Sequence, residues 1–203
     1  MIRVLPKRPT TRRIGPADHG RHMCLDDFDR AVGTEGHIYE LSKGVVQVVN
    51  VPGGNHANQF QEVRDQLVGY RLANPGVITF IGGGGEAKML IGPAQSERHP
   101  DVVVYTTPQP KGGDLWSLWV PDIVVEIVSP GSAKRDYEEK PDEYLAFGVK
   151  EYWIVDAAKK RMTVLARWRG QWKQTIVKPP RKYATIRLPG FALDLKRVLA
   201  AAK

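Results

Sequence analysis

The chain has 203 residues, 42 % of them hydrophobic and 26 % charged, with a formal net charge of +8. That balance excludes a disordered chain, and no apolar run approaches the roughly 18 residues of a membrane-spanning helix. With Cys24 as the single cysteine there is no intramolecular disulfide and no cysteine-based zinc site, and the expectation is a cytoplasmic protein whose basic surface suits an anionic partner such as nucleic acid.

Residues 1–23 carry Pro, Gly and Arg without periodicity and read as a basic, mobile N-terminal arm, leaving 24–203 as a single domain. LDDFDRAV (25–32) predicts a short helix. GHIYELSKGVVQVVN predicts two strands turning at Lys43-Gly44. From Asn55 to Ala73 the period changes: His56, Phe60, Val63, Leu67 and Tyr70 recur at helical spacing, and the pattern ends near Asn74-Pro75. Strands follow at 77–81 and 87–92, joined by GGGGE. That run lacks the GxxxxGK[ST] spacing of a phosphate loop and reads as a flexible connection. HPDVVVYT and PDIVVEIVS are two more strands. RDYEEKPDEYLAFG then predicts a helix running to Gly148, KEYWIVD a strand, MTVLARWRGQWKQTIV a hairpin about Gly170-Gln171, and DLKRVLAAAK a terminal helix. Strands outnumber helices, with a strand–helix–strand unit over 121–156. This is the pattern of an α+β or mixed α/β sheet.

The chemistry concentrates in two of these strands. PDIVVEIVSP would be a plain buried strand but for Glu126, a carboxylate that is hard to desolvate unless something pairs with it. Alternation puts Asp122, Val124, Glu126 and Val128 on one face and Ile123, Val125 and Ile127 on the other. Asp101 opens a similar run, DVVVY, also after a proline. If the two strands are neighbours, Asp101 and Glu126 converge at one end of the sheet, where a hard divalent cation relieves their repulsion. In the following helix Asp136, Lys140, Tyr144 and Phe147 share a face, which turns Lys140 toward Glu126. A lysine beside two metal-bound carboxylates can orient or deprotonate a water, the requirement of phosphodiester hydrolysis. Plainer readings stand beside these: a surface salt bridge for Asp101, a structural pairing of Glu126 with Lys140 or Arg135, and a solvated Lys140.

HPDVVVY, PDIVVEIVSP, RDYEEKPDEYLAFGVKEYWIVD and the upstream IYELSKG together resemble a bacterial family described as putative restriction endonucleases, within the PD-(D/E)XK nuclease superfamily. The resemblance covers residues 37–165 and is strongest over 121–156. It implies a restriction-endonuclease-like core, a mixed β-sheet flanked by helices, here with extra N-terminal and C-terminal β-hairpins. It implies Mg²⁺ or Mn²⁺ as cofactor and DNA as partner. Carried over by position, Asp101 and Glu126 are the two acidic residues of the motif and ligands of the metal. The peptide carbonyl of Ile127 and the side chain of His56 are further ligands. The motif's lysine belongs at 128, where this chain has Val128. Lys140, on the next helix, matches relatives in which that lysine has migrated. Pro141 directly follows it, so either the helix starts near Glu139 or Lys140 is displaced.

Glu40, in the YEL context, and Tyr144 are accessory candidates. In RWRGQWKQ, Trp168 and Trp172 interleave with Arg167, Arg169 and Lys173, a pattern that either stacks bases and holds phosphates or packs its tryptophans inward. The function expected is metal-dependent endonucleolytic hydrolysis of DNA. The alternative is a catalytically inactive nuclease fold serving as a nucleic-acid-binding or regulatory module. A homodimer would suit symmetric cleavage of a duplex.

Overall fold

The computed structural model describes residues 12–49 and 53–202. In chain order, β1 (Arg13–Ile14) precedes α1 (Leu25–Asp29), β2 (Val32–Gly33), β3 (Ile38–Ser42), β4 (Val45–Val49), α2 (Gly54–Ala73) and β5 (Phe80–Gly82). Next come β6 (Met89–Ile91), β7 (Ser96–Arg98), β8 (Val102–Tyr105), α3 (Leu115–Leu118) and β9 (Ile123–Ile127). The chain continues through α4 (Lys140–Phe147), β10 (Glu151–Asp156), β11 (Arg161–Trp168), β12 (Gln171–Val177), β13 (Tyr183–Ala184), β14 (Ala192–Leu193) and α5 (Leu195–Ala200).

The main sheet has six strands in the order β12-β11-β10-β9-β8-β5. Its β9 and β10 run parallel and its other neighbours antiparallel. A parallel pair needs a crossover, and the helical segment ending in α4 supplies it. Alternation along the central strands divides the core. Val102, Val104, Val125 and Ile127 pack with Val63 and Leu67 of α2 and Val198 of α5. Val103, Tyr105, Val124 and Ile154 pack with Tyr144 of α4 and with Trp119. Each such side chain contributes about 1.5–3 kcal/mol on burial. Both faces are therefore covered, and a charged residue in β8 or β9 has water only beyond the strand ends.

A second sheet, in the order β4-β3-β7-β6, stands beside the first. Lys43 and Gly44 both take positive φ, 51° and 75°, as a tight two-residue hairpin turn requires. This hairpin thus belongs to its own sheet, whereas the β11–β12 hairpin widens the main one. The β7 strand escaped the sequence pattern because Ser-Glu-Arg is short and polar, yet all three residues are buried.

The described part of the N-terminal arm differs from its expectation. Ile14 and Met23 are buried with Phe28, Leu41 and Val46. The amides of Gly20 and Met23 donate to the carbonyls of Val46 and Gly44. Backbone pairing holds this stretch, which is why it shows no side-chain period. Residues 1–11 of the arm lie outside the described residues.

Candidate active site

Strands β8 and β9 pair antiparallel with Val102 opposite Val125, so the next residues outward, Asp101 and Glu126, meet at one end of the sheet. Asp101 is fixed from two sides. Its Oδ2 accepts the Ile127 amide at 2.7 Å and lies 3.0 Å from His56 Nε2, in the first turns of α2. The glycine run sets this geometry. A Cβ on Gly83 would lie 1.7 Å from the Asp101 carbonyl oxygen, so only glycine lets the chain after β5 close on the start of β8. The amide of Gly84 then donates to the Pro100 carbonyl at 2.8 Å. Within GGGGE, Gly83 is thus a close-approach position, while Gly84 and Gly85 face open space.

Glu126 is 3 % exposed. Its Oε1 accepts the Tyr144 hydroxyl at 2.5 Å and lies 3.0 Å from Lys140 Nζ. Lys140 reaches Asp136 Oδ1 as well, at 2.9 Å, and Ser132 Oγ donates to Asp136 Oδ2 at 2.6 Å. Pro141 does not displace the lysine. Residues Arg135–Glu139 form a π-turn, with the Lys140 amide reaching back to the Arg135 carbonyl, and α4 begins at Lys140 with the proline in its first turn. Proline brings no N–H, and the Asp136 carbonyl instead accepts the Tyr152 hydroxyl at 2.9 Å. The wide turn brings Asp136, Lys140 and Tyr144 onto the face that meets Glu126. Val128, where the motif's lysine would stand, instead packs against the core on the α4 side.

Burial pushes the Glu126 carboxyl up to about 8, and the charges of Asp101, Asp136 and Glu40 add to that despite Lys140 beside it. Desolvation alone would lower Lys140, but Glu126, Asp136 and Glu40 raise it. For His56, desolvation is outweighed by the hydrogen bond and charge of Asp101, so its imidazole is raised too. The site carries an excess of carboxylate over cation. A cavity of about 620 Å³ opens onto it, lined by His56, Asp101, Glu126, Ile127, Lys140 and Glu40 among others.

The Uma2 family, described as "putative restriction endonuclease", matches residues 25–196. The chain belongs to this family. Its structure is similar to that of a putative nuclease belonging to DUF820 from Anabaena variabilis ATCC 29413, solved at 1.96 Å, with a TM-score of 0.72 and 19 % identity. The match covers 89 % of this chain and 99 % of that one. The fold is therefore mixed α+β and restriction-endonuclease-like, as the sequence resemblance implied. No curated protein matches the chain. Among the described residues no helix is long and apolar enough to cross a membrane.

Glu40 is buried and pairs with Arg98 of β7: Arg98 Nη1 donates to Glu40 Oε2 at 3.1 Å. Arg98 also grips Glu143 of α4 with two hydrogen bonds, 2.7 and 3.0 Å, and donates to Ser42 Oγ at 2.7 Å. Arg98 and Glu143 carried no sequence signal, because they lie 45 residues apart and belong to a strand that the pattern did not reveal. Asp136 joins the site through the i,i+4 spacing that the sequence shows between it and Lys140.

The β11–β12 hairpin is three strands away from β8. Trp172 turns inward and donates from Nε1 to the Pro141 carbonyl at 2.8 Å. Arg167 donates to the Leu145 carbonyl at 2.6 Å, at the C-terminal end of α4. Both residues thus brace α4. Trp168 is 63 % exposed with the Arg169 guanidinium 5.5 Å from its ring, and Lys173 is exposed.

The set can be tested for a metal on its own atoms. Among the described residues no group of three or more His, Cys, Asp or Glu side chains is gathered to hold an ion. His56 Nε2 lies 3.0 Å from Asp101 Oδ2, which places the histidine beside that carboxylate. Among the same residues, Oδ1 of Asp101 and Oε2 of Glu126 accept no hydrogen bond, since the bonds they make use Oδ2 and Oε1. Two carboxylates with a free oxygen each fit Mg²⁺, which keeps several waters and takes few protein ligands.

Proposed function

We propose that this chain is a divalent-metal-dependent endonuclease that hydrolyses DNA phosphodiesters. The observation that carries the reading is the meeting of Asp101 and Glu126 at the strand ends, with Lys140 within 3.0 Å of Glu126 and a cavity in front of them. Asp101, Glu126 and the Ile127 carbonyl would hold Mg²⁺ or Mn²⁺. When bound, the ion would act as a Lewis acid on the phosphate and lower the pKa of a water. His56 holds Asp101 in place. Lys140 orients the attacking water and offsets charge that develops on the phosphate. The net charge of +8 favours a polyanionic substrate by counterion release.

Lys140 already lies between Glu126 and Asp136, and this favours a second reading, a nuclease fold that binds nucleic acid without cutting it. Thermal unfolding with and without millimolar Mg²⁺ or Mn²⁺ separates the two. A ligand specific to the folded state stabilises it by about 2.7 kcal/mol at 100 times its dissociation constant. The nuclease reading expects a metal-dependent rise in Tm that disappears in Glu126→Gln, together with metal-dependent DNA cleavage by the wild type alone. A wild-type Tm insensitive to metal, with DNA bound but uncut, sinks it in favour of the binding module.

A further inference from the structure

The cavity in front of the carboxylates is larger than a phosphodiester needs, and its wall is more apolar than polar. Its volume of about 620 Å³ is in the range of roughly 300–1,000 Å³ that encloses one small ligand. The carboxylates are part of its lining, with Glu126 almost fully buried. A base pair with both its backbones does not enter a space of that size, whereas one nucleotide turned out of the stack does.

Two features of the wall match the two halves of a nucleotide. Phe60 lies one helical turn beyond His56 on α2, is half-buried and lines the cavity, with the Arg64 guanidinium 5.7 Å from its ring. Ile38 of β3 lines the same cavity and is 36 % exposed, an unusual position for a large apolar side chain beside a cluster of carboxylates. Together they offer an aromatic and aliphatic surface to a base, and stacking is indifferent to which base it is. Arg135 lines the same cavity as Glu126 and Asp136. It forms no ion pair among the described residues, and its Nε is buried without a hydrogen-bond partner. A guanidinium that forms no ion pair is free to take an anion, and a phosphate supplies one with matching fork geometry.

We propose that this cavity binds one unpaired nucleotide of a DNA strand, its base against Phe60 and Ile38 and its phosphate at Arg135. The chain then acts on single-stranded or locally unpaired DNA in preference to intact duplex, an inference that rests on the nuclease reading for its catalytic half. The base and phosphate contacts can be tested without it.

The experiment presents one sequence to the wild-type protein, with Mg²⁺ or Mn²⁺, as a single strand, as a duplex with a short unpaired bulge, and as an intact duplex. Cleavage of the first two at least about tenfold faster than the third is expected, from the added requirement of extruding a base. Equal or faster cleavage of the intact duplex overturns the proposal. A parallel arm measures binding of the single strand and the duplex by Phe60→Ala, Phe60→Trp and Arg135→Ala in metal-free buffer. Phe60→Ala should weaken single-strand binding roughly five- to a hundredfold, the range seen when a stacking aromatic is removed, with little change for the duplex. Phe60→Trp should restore it, which separates stacking from loss of packing. Arg135→Ala should weaken the single strand as well and lower the slope of log affinity against log salt by about 1. Should no DNA be cut at all, the nuclease reading fails, while a selective single-strand loss in Phe60→Ala still upholds the nucleotide site. Losses that are equal for both DNAs, or absent, overturn it.

Discussion

Two buried cations 42 positions apart, Arg98 and Lys140, occupy contrasting surroundings within one fold. Arg98 is fully buried, and its guanidinium is matched by both oxygens of Glu143, by Glu40 and by Ser42. Burial would lower it, but the charges and hydrogen bonds of Glu143 and Glu40 hold it well above its usual value. Lys140 is nearly as buried, but it is shared between Glu126 and Asp136, and one oxygen of Glu126 stays without a hydrogen bond among the described residues. The first cluster is saturated and ties α4 to β3 and β7. The second has spare acceptor capacity facing a cavity. Burial of charge therefore does not distinguish a strut from a site. Unused bonding capacity at the edge of an open space does.

The largest effect expected from this contrast is on chemistry at Lys140. Lys140→Met should lower DNA cleavage by about 10²- to 10⁴-fold, the usual contribution of a positioned acid–base group. It should unfold less readily than the corresponding Arg98 variant. Burial already raises Glu126 to about 8, and loss of Lys140 raises it further, so the carboxyl can stay neutral once its partner is gone. A Lys140→Met protein that cuts at the wild-type rate would make the two clusters equivalent.

Arg98→Met should act on stability instead, by about 3–5 kcal/mol in denaturant unfolding, because it strands two buried carboxylates whose partner was permanent. Cleavage per folded molecule should fall much less than in Lys140→Met. If the arginine variant keeps full stability and loses cleavage, the division between strut and site has been drawn in the wrong place.

The smallest effect is expected at Glu40. Its burial would raise the carboxyl, but Lys140, Arg98 and the His99 amide outweigh that, leaving it below its ordinary 4.5. A carboxyl depressed on folding adds stability that is present above the unfolded value and lost as pH falls through the folded one. Unfolding of the wild type should therefore steepen below about pH 4.5, and Glu40→Gln should flatten that part of the curve while lowering stability at neutral pH. Parallel curves for the two proteins would show that Glu40 does not titrate against Arg98.

The sequence by itself determined the outline of this protein, because its strongest signals are local. Alternation in DVVVY and IVVEI put Glu126 on one face of its strand. The helical period from His56 to Tyr70 set α2, and Lys43-Gly44 set the β3–β4 turn. The block from PDIVVE to EYWIVD was specific enough to imply the family and the fold. Local patterns cannot convey how distant segments meet. Only the tertiary structure paired β8 with β9 so that Asp101 stands opposite Glu126, placed the polar β7 strand so that Arg98 reaches α4, and turned Trp172 and Arg167 onto that helix. Only the tertiary structure, too, absorbed Pro141 through a π-turn that keeps Lys140 on Glu126. The physical reason is the same in each case. A buried polar group is stabilised by whichever partner the packing delivers, and that partner can lie at any distance along the chain.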